Sequence, residues 1–271
     1  MAELTSGRVA LLHHTPRLDL FDKVHRGDVL ERAWEQVRRN RGAAGIDKTT
    51  LADVERYGVA RLLEELAVDL KERRYRPLPA RRVFIPKPGS GEQRPLSIPT
   101  VRDRVVQAAV KIVLEPIFEA DMLDCSYGFR PRRSAHDALQ VLIDESWRGR
   151  RWVVETDIAN CFEAIPHSGL MQAVQERVCD QAVLSLLRGM LRAGVMQDGS
   201  RRRSVAGTPQ GGVLSPLLCN VGLTRFDGHP SSGALPREGV HHGGHGTQQA
   251  SCAPVVHARV QGRDRGAVPG W

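Results

Sequence analysis

From Asp28 to Arg39 the apolar positions Val29, Leu30, Ala33, Trp34 and Val37 recur at helical spacing, and Asn40-Arg41-Gly42 closes the segment. This predicts a short amphipathic helix. A second helical pattern runs from about Leu51 to Arg74, carried by Leu62, Leu63, Leu66, Val68 and Leu70, and Pro77 and Pro79 stop it. The period then shortens to two extended pieces, Arg82-Val83-Phe84-Ile85-Pro86 and Arg94-Pro95-Leu96-Ser97-Ile98-Pro99, around Lys87-Pro88-Gly89-Ser90-Gly91. That pattern predicts a β-hairpin with a glycine-rich tip.

Helical spacing resumes over Asp103–Ala120 and Ser134–Trp147, where Ser134 and Asp137 stand in the positions of a capping box. Trp152-Val153-Val154-Glu155-Thr156-Asp157-Ile158 is apolar and β-branched, which predicts a strand, and a helical stretch follows from His167 to Arg192. Gly207-Thr208-Pro209-Gln210-Gly211-Gly212 reads as a loop that opens an apolar helix through Leu214, Leu217 and Leu218. After about Leu223 the pattern stops. The last 49 residues hold nine glycines, four prolines and five histidines with neither Lys nor Ile, too little apolar content to build a core.

Charge narrows the partner. With 39 Lys and Arg against 31 acids in 271 residues the net charge is +8, which favours a polyanion, and nucleic acid leads that class. Cys125, Cys161, Cys179, Cys219 and Cys252 are spread singly, so neither a disulfide framework nor a zinc site is indicated, and reduced thiols fit a cytoplasmic setting. No run approaches the ~18 apolar residues of a membrane span, and the first residues lack a leader pattern.

Few residues carry chemistry by themselves. Asp157 ends the predicted strand, where a carboxylate can serve Mg²⁺, although an aspartate there is also an ordinary turn or cap residue. Lys87 and Arg94 lie on the two arms of the hairpin and can close on a triphosphate, or can be a solvated basic surface. Gln210 with Gly211 and Gly212 allows backbone to approach a nucleotide closely, or simply packs a helix N-terminus.

The order and wording of the blocks decide between these readings. Arg94-Pro95-Leu96-Ser97-Ile98-Pro99-Thr100-Val101-Arg102-Asp103-Arg104-Val105-Val106-Gln107, Ser126-Tyr127-Gly128-Phe129-Arg130-Pro131, Ser134-Ala135-His136-Asp137-Ala138-Leu139 and Gly207-Thr208-Pro209-Gln210-Gly211-Gly212-Val213-Leu214-Ser215-Pro216-Leu217-Leu218 closely resemble successive blocks of bacterial group II intron reverse transcriptase/maturases. The resemblance covers about Arg41 to Val221. It implies an α/β right-hand polymerase, here as fingers plus an incomplete palm, with a helical N-terminal extension and a disordered C-terminal tail.

By that resemblance Asp157 is the first metal-binding palm aspartate, with Ile158 offering a backbone carbonyl to Mg²⁺. Phe162 is the bulky residue that rejects a ribose 2′-OH. Lys87 and Arg94 hold the incoming triphosphate, Gln210 and Gly211 lie beside nucleotide and template, and Arg130 lies near nucleic-acid phosphates or stabilises the fold. His136 and His167 are read as structural. The implied partners are intron RNA as template, a DNA primer and deoxynucleoside triphosphates, and the implied cofactor is two Mg²⁺.

The departures set the remaining expectations. The family pattern continues to Tyr-Ala-Asp-Asp, but after Val221 only Asp227 and Asp264 occur, singly. The expected division is therefore a mostly helical extension over 1–80, fingers over 81–150, a partial palm over 151–222 and an unrelated, frameshift-like tail over 223–271. The function implied is RNA-directed DNA polymerase with a maturase role, inactive as this chain. The alternative is a catalytically dead RNA-binding module.

Overall fold

The computed structural model describes residues 20–86, 89, 91–155, 158, 161–204 and 206–227, the side chains of 225–227 excepted. Ten helices and four strands are formed among them. The helices are α1 (Leu20–Val24), α2 (Gly27–Arg39), α3 (Leu51–Tyr57), α4 (Val59–Lys71), α5 (Val101–Glu119), α6 (Ala135–Trp147), α7 (Cys161–Ala164), α8 (His167–Gln175), α9 (Gln181–Arg192) and α10 (Ser215–Asp227). The strands are β1 (Ala80–Pro86), β2 (Gln93–Ile98), β3 (Val195–Gln197) and β4 (Ser200–Arg202), in the order β2-β1-β3-β4.

Helix α5 is the centre of the core. Val105, Val106, Ala108, Ala109, Val110 and Leu114 are wholly buried on it, because α1, α2 and α10 pack around it and leave it no solvent face over that stretch. Thr100 caps it by accepting the Asp103 N–H at 3.0 Å. Asp103 then gathers three further donors, the Tyr75 hydroxyl at 2.5 Å, the Thr100 hydroxyl at 2.8 Å and the Leu78 N–H at 3.2 Å. These bonds fasten the chain leaving α4 to the start of α5. Burial nevertheless raises the Asp103 carboxyl above its ordinary value, against the pull of those hydrogen bonds.

The hairpin forms as its two extended pieces and glycine-rich tip predict. β1 and β2 pair antiparallel from Arg81 opposite Ile98 to Pro86 opposite Gln93. Helix α2 matches its predicted span, and the Ser134–Asp137 capping box is present at the start of α6. Each of the two long helical patterns is split. The first breaks at Gly58, whose φ is +108°, and the second at 176–180, where Asp180 starts α9 by accepting from the Ala182 and Val183 N–H groups. Asp180 also accepts the Phe21 N–H at 2.8 Å, which ties α1 to α9.

The small hairpin β3-β4 was absent from the periodicity reading. Its turn, Asp198-Gly199, has φ of 50° and 74°, the left-handed pair that a tight hairpin needs. Its first strand lies parallel to β1 through Ala80 and Val195, which extends the sheet to four strands.

One predicted element is corrected. Residues 151–155 are not a strand, and Trp152, Val153 and Val154 are 96%, 73% and 89% exposed. A β-branched apolar run has the propensity for a strand, but its N–H and C=O groups need a paired neighbour, and among the described residues no strand lies beside it. The apolar face of α6 is open in the same way, with Leu139, Ile143 and Trp147 each at least half exposed. The segment from 228 onward, which includes nearly all of the expected tail, lies outside the described residues.

Candidate functional site

Three sequence blocks distant along the chain meet where β2, α5, α7 and α10 approach one another. The loop 206–213 is the junction. The Ser97 N–H of β2 donates to the Gln210 carbonyl at 2.7 Å, and Gln107 Oε1 on α5 accepts the Val213 N–H at 3.0 Å. On the other side the Thr208 N–H donates to the Phe162 carbonyl at 2.6 Å and the Gly207 N–H to the Ile165 carbonyl at 2.7 Å. His167 Nε2 donates to the Gly207 carbonyl at 2.7 Å, so its role here is to hold backbone.

Gly211 shows why the loop is spelled this way. Its φ is +100°, and a Cβ at this position would stand 2.7 Å from the Ser97 carbonyl oxygen and 2.8 Å from the Leu96 side chain. A glycine is required for the loop to lie against β2. Ser215 Oγ donates to the Pro209 carbonyl at 2.7 Å and closes the turn into α10. Ser97 Oγ and Thr208 Oγ1 are buried in this region without a protein partner.

The block around Tyr127-Gly128-Phe129-Arg130 joins the same assembly. Asn220 on α10 donates to the Gly128 carbonyl at 2.8 Å. Phe129, held at φ +57°, is 65% exposed and meets Phe162 edge to face, with ring centroids 6.1 Å apart and planes at 80°. Phe162 sits on α7, whose neighbour Glu163 pairs with Arg82 of β1 at 3.3 Å.

The expected site residues therefore divide. Phe162, Gln210 and Gly211 are brought together around the 206–213 loop. Arg94 is exposed on β2 opposite Ile85, and Ile158 is half exposed. Lys87 and Asp157 lie outside the described residues.

Arg130 is placed in the fold. Its side chain is 4% exposed; Nε and Nη2 clasp Glu119 at 3.0 and 2.7 Å, and Nη1 donates to the Leu123 and Ser126 carbonyls at 2.5 and 2.8 Å. With its donors spent on α5 and its own loop, it has no free edge for a phosphate, so of its two readings the geometry carries the stabilising one.

The sequence reading missed Gln107, Asn220 and Phe129. Gln107 and Phe129 sit inside the quoted blocks and Asn220 just beyond the last of them, but nothing local marks them, because their partners are 106, 92 and 33 residues away. A cavity of about 630 Å³ lined by Glu35, Arg38, Arg39, Arg41 and Glu55 lies on α2 and α3, and its mixed charge sets no ligand preference. Among the described residues no three His, Cys, Asp or Glu side chains group as a metal site.

Comparison with known proteins identifies the fold and then the family. A chain in the structure of a partial Cas6-RT-Cas1-Cas2 complex superposes with a TM-score of 0.53 at 24% identity, over 77% of this chain and 34% of that one. The fold is that of a reverse-transcriptase-type polymerase. The family model for reverse transcriptase (RNA-dependent DNA polymerase) matches residues 85–241, and the chain belongs to that family.

Among its relatives, Protein YkfC of Escherichia coli strain K12 is 44% identical over 69% of this chain and 49% of its own length. The group II intron-encoded protein LtrA of Lactococcus lactis subsp. cremoris is 38% identical over 77% of this chain and 34% of its own. The chain thus spans half or less of these relatives. The matched span ends at 241, inside the segment that the sequence pattern sets apart from 223.

Proposed function

We propose that this chain forms the fingers (81–150) and part of the palm (151–222) of an RNA-directed DNA polymerase of the group II intron type, with a maturase role in binding intron RNA. The observation that supports it is convergence: block 94–107 meets block 207–218 through Ser97–Gln210 and Gln107–Val213, and block 126–139 meets α10 through Asn220–Gly128 and α7 through Phe129–Phe162. Local folding does not require these contacts. A nucleotide site does, because its loop must be held to the hairpin and helix that grip the same ligand.

In this reading the ligands are intron RNA as template, a DNA primer and deoxynucleoside triphosphates. Lys87 and Arg94 neutralise the triphosphate as its charge is held. Gln210 and Gly211 lay backbone along the nucleotide. Phe162, steadied by Phe129, closes the space a ribose 2′-OH would take. Reverse transcriptases use divalent metal ions, and the hard oxygens of Asp157 and the Ile158 carbonyl are the donors that Mg²⁺ would find here. Such an ion lowers the pKa of an attacking hydroxyl and stabilises the leaving phosphate. The basic surface recruits RNA by phosphate contacts. The expected location is the cytoplasm, and among the described residues no helix is long and apolar enough to cross a membrane.

A second reading, an RNA-binding module without catalysis, is favoured by segment 151–155, beside which no strand lies among the described residues, since a palm carboxylate needs a sheet to position it. RNA binding measured across salt tests what both readings share. Affinity for structured RNA that falls steeply with salt is the expected result, and salt-independent or absent binding would sink both. Primer extension on an RNA template then separates them.

A further inference from the structure

Cys161 and Cys219 are 58 residues apart in sequence, yet their sulfurs stand 3.5 Å from each other. Cys161 begins α7 and is half-buried, whereas Cys219 lies on α10 and is buried. The surrounding backbone holds them there: the Thr208 and Gly207 N–H groups bond the Phe162 and Ile165 carbonyls on the α7 side, and Gly207 and Ser215 bracket the loop that leads into α10. The pair is therefore a fixed feature of the tertiary structure.

We infer that Cys161 and Cys219 are an oxidative modification site, which closes to an intramolecular disulfide when a peroxide oxidises the pair. The chemistry balances with the peroxide as the sole oxidant. The more accessible Cys161 sulfur attacks one peroxide oxygen; the O–O bond breaks, a sulfenic acid forms on Cys161, and the other oxygen leaves as water. The Cys219 sulfur then attacks the Cys161 sulfur. The S–S bond forms, the S–O bond breaks, and the Cys219 proton departs with the hydroxide as a second water. Two thiols lose two electrons and one hydrogen peroxide becomes two waters.

Division of labour follows from burial. Enclosure, aided by the hydrogen bond to Cys161, pushes the Cys219 thiol up to about 12, so Cys219 stays protonated and inert to oxidant until Cys161 has been activated. Closure from 3.5 Å to the ~2.05 Å of a disulfide is a shift that side-chain rotation and a small movement of the short α7 can supply.

The location gives the modification its consequence. Cys161 precedes Phe162, Cys219 precedes Asn220, Asn220 holds Gly128, and Phe129 meets Phe162. A disulfide would complete this ring covalently and clamp α7 to α10 beside the proposed nucleotide site. The pairing itself stands on thiol geometry, and only this consequence rests on the polymerase reading.

The experiment exposes the purified full chain to hydrogen peroxide, blocks remaining thiols, and maps peptides without reduction. The expected result is a Cys161–Cys219 cross-linked peptide, loss of two of the five thiols, and a Tm raised by about 5 °C or more that a thiol reductant reverses. Cys161→Ser should abolish the cross-link and the Tm shift. If that variant fails to fold, a chain carrying Cys125→Ser, Cys179→Ser and Cys252→Ser must still form the bond. The inference is overturned if Cys161 is oxidised to sulfinic or sulfonic acid while Cys219 stays a free thiol. Pairing of either with Cys125, Cys179 or Cys252, or resistance of both to peroxide in the folded chain, would overturn it equally. RNA binding across salt, run on the same reduced sample, tests the polymerase reading separately.

Discussion

Gln107, in the middle of the central helix α5, accepts the Val213 backbone N–H at 3.0 Å and so fixes the loop that carries Gln210 and Gly211 to the rigid core. This bond is the clearest case of the core positioning the proposed site. Gln107→Ala should leave the part-buried Val213 N–H without its partner and lower stability by about 1–2 kcal/mol in chemical denaturation. Gln107→Glu keeps an acceptor oxygen and should recover most of it. Equal loss in both variants would show that the bond does not carry the effect.

Asp103 gives a pH signature. Its folded-state pKa is raised by burial, so the stability this group contributes is fully present below the unfolded carboxylate value and is lost as pH rises through the folded value. Asp103→Asn removes the titration and some of the acceptor capacity used by Tyr75, Thr100 and Leu78, and should cost about 2–4 kcal/mol at neutral pH. The gap between wild type and variant should widen as pH is lowered from neutral toward about 4. A gap that narrows in denaturation curves over that range would contradict the burial assignment.

For nucleic acid, removing Lys87 and Arg94 together should weaken deoxynucleotide-dependent effects more than RNA binding, since both side chains are assigned to the triphosphate. Titrations with and without deoxynucleotide measure this. Equal loss of the two activities would reassign these cations to general phosphate contact.

The polypeptide of this sequence should give no measurable primer extension with Mg²⁺ and deoxynucleotides, because two-metal phosphoryl transfer holds its ions ~3.5–4 Å apart on at least two carboxylates. After Val221 the sequence offers only the isolated Asp227 and Asp264. Clear extension that disappears in Asp157→Ala would overturn this expectation.

The frameshift reading of the tail has its own test. Translating the other two frames of the gene from the Leu223 codon should restore the family pattern, with Tyr-Ala-Asp-Asp or a close variant within some tens of codons. If neither frame does so, the frameshift idea fails, and the family match reaching residue 241 in the present frame then calls for another account of this segment.

The sequence by itself determined what is local. The two extended pieces around Gly89 specified β1 and β2, the apolar face at 29, 30, 33, 34 and 37 specified α2, and Ser134 with Asp137 specified the start of α6, because each signal acts between residues a few positions apart. The wording of the blocks specified the family and, with it, the candidates Phe162, Gln210 and Gly211. Only the tertiary structure decided what those residues touch: Ser97 against Gln210, Phe129 against Phe162, Cys161 against Cys219. It also chose between the two readings of Arg130, which is buried against Glu119, and decided against one sequence expectation: 152–155, a strand by propensity, has no strand beside it among the described residues. Propensity is a property of a few consecutive residues, whereas a paired strand or a spent guanidinium depends on groups that long-range packing brings within hydrogen-bonding distance.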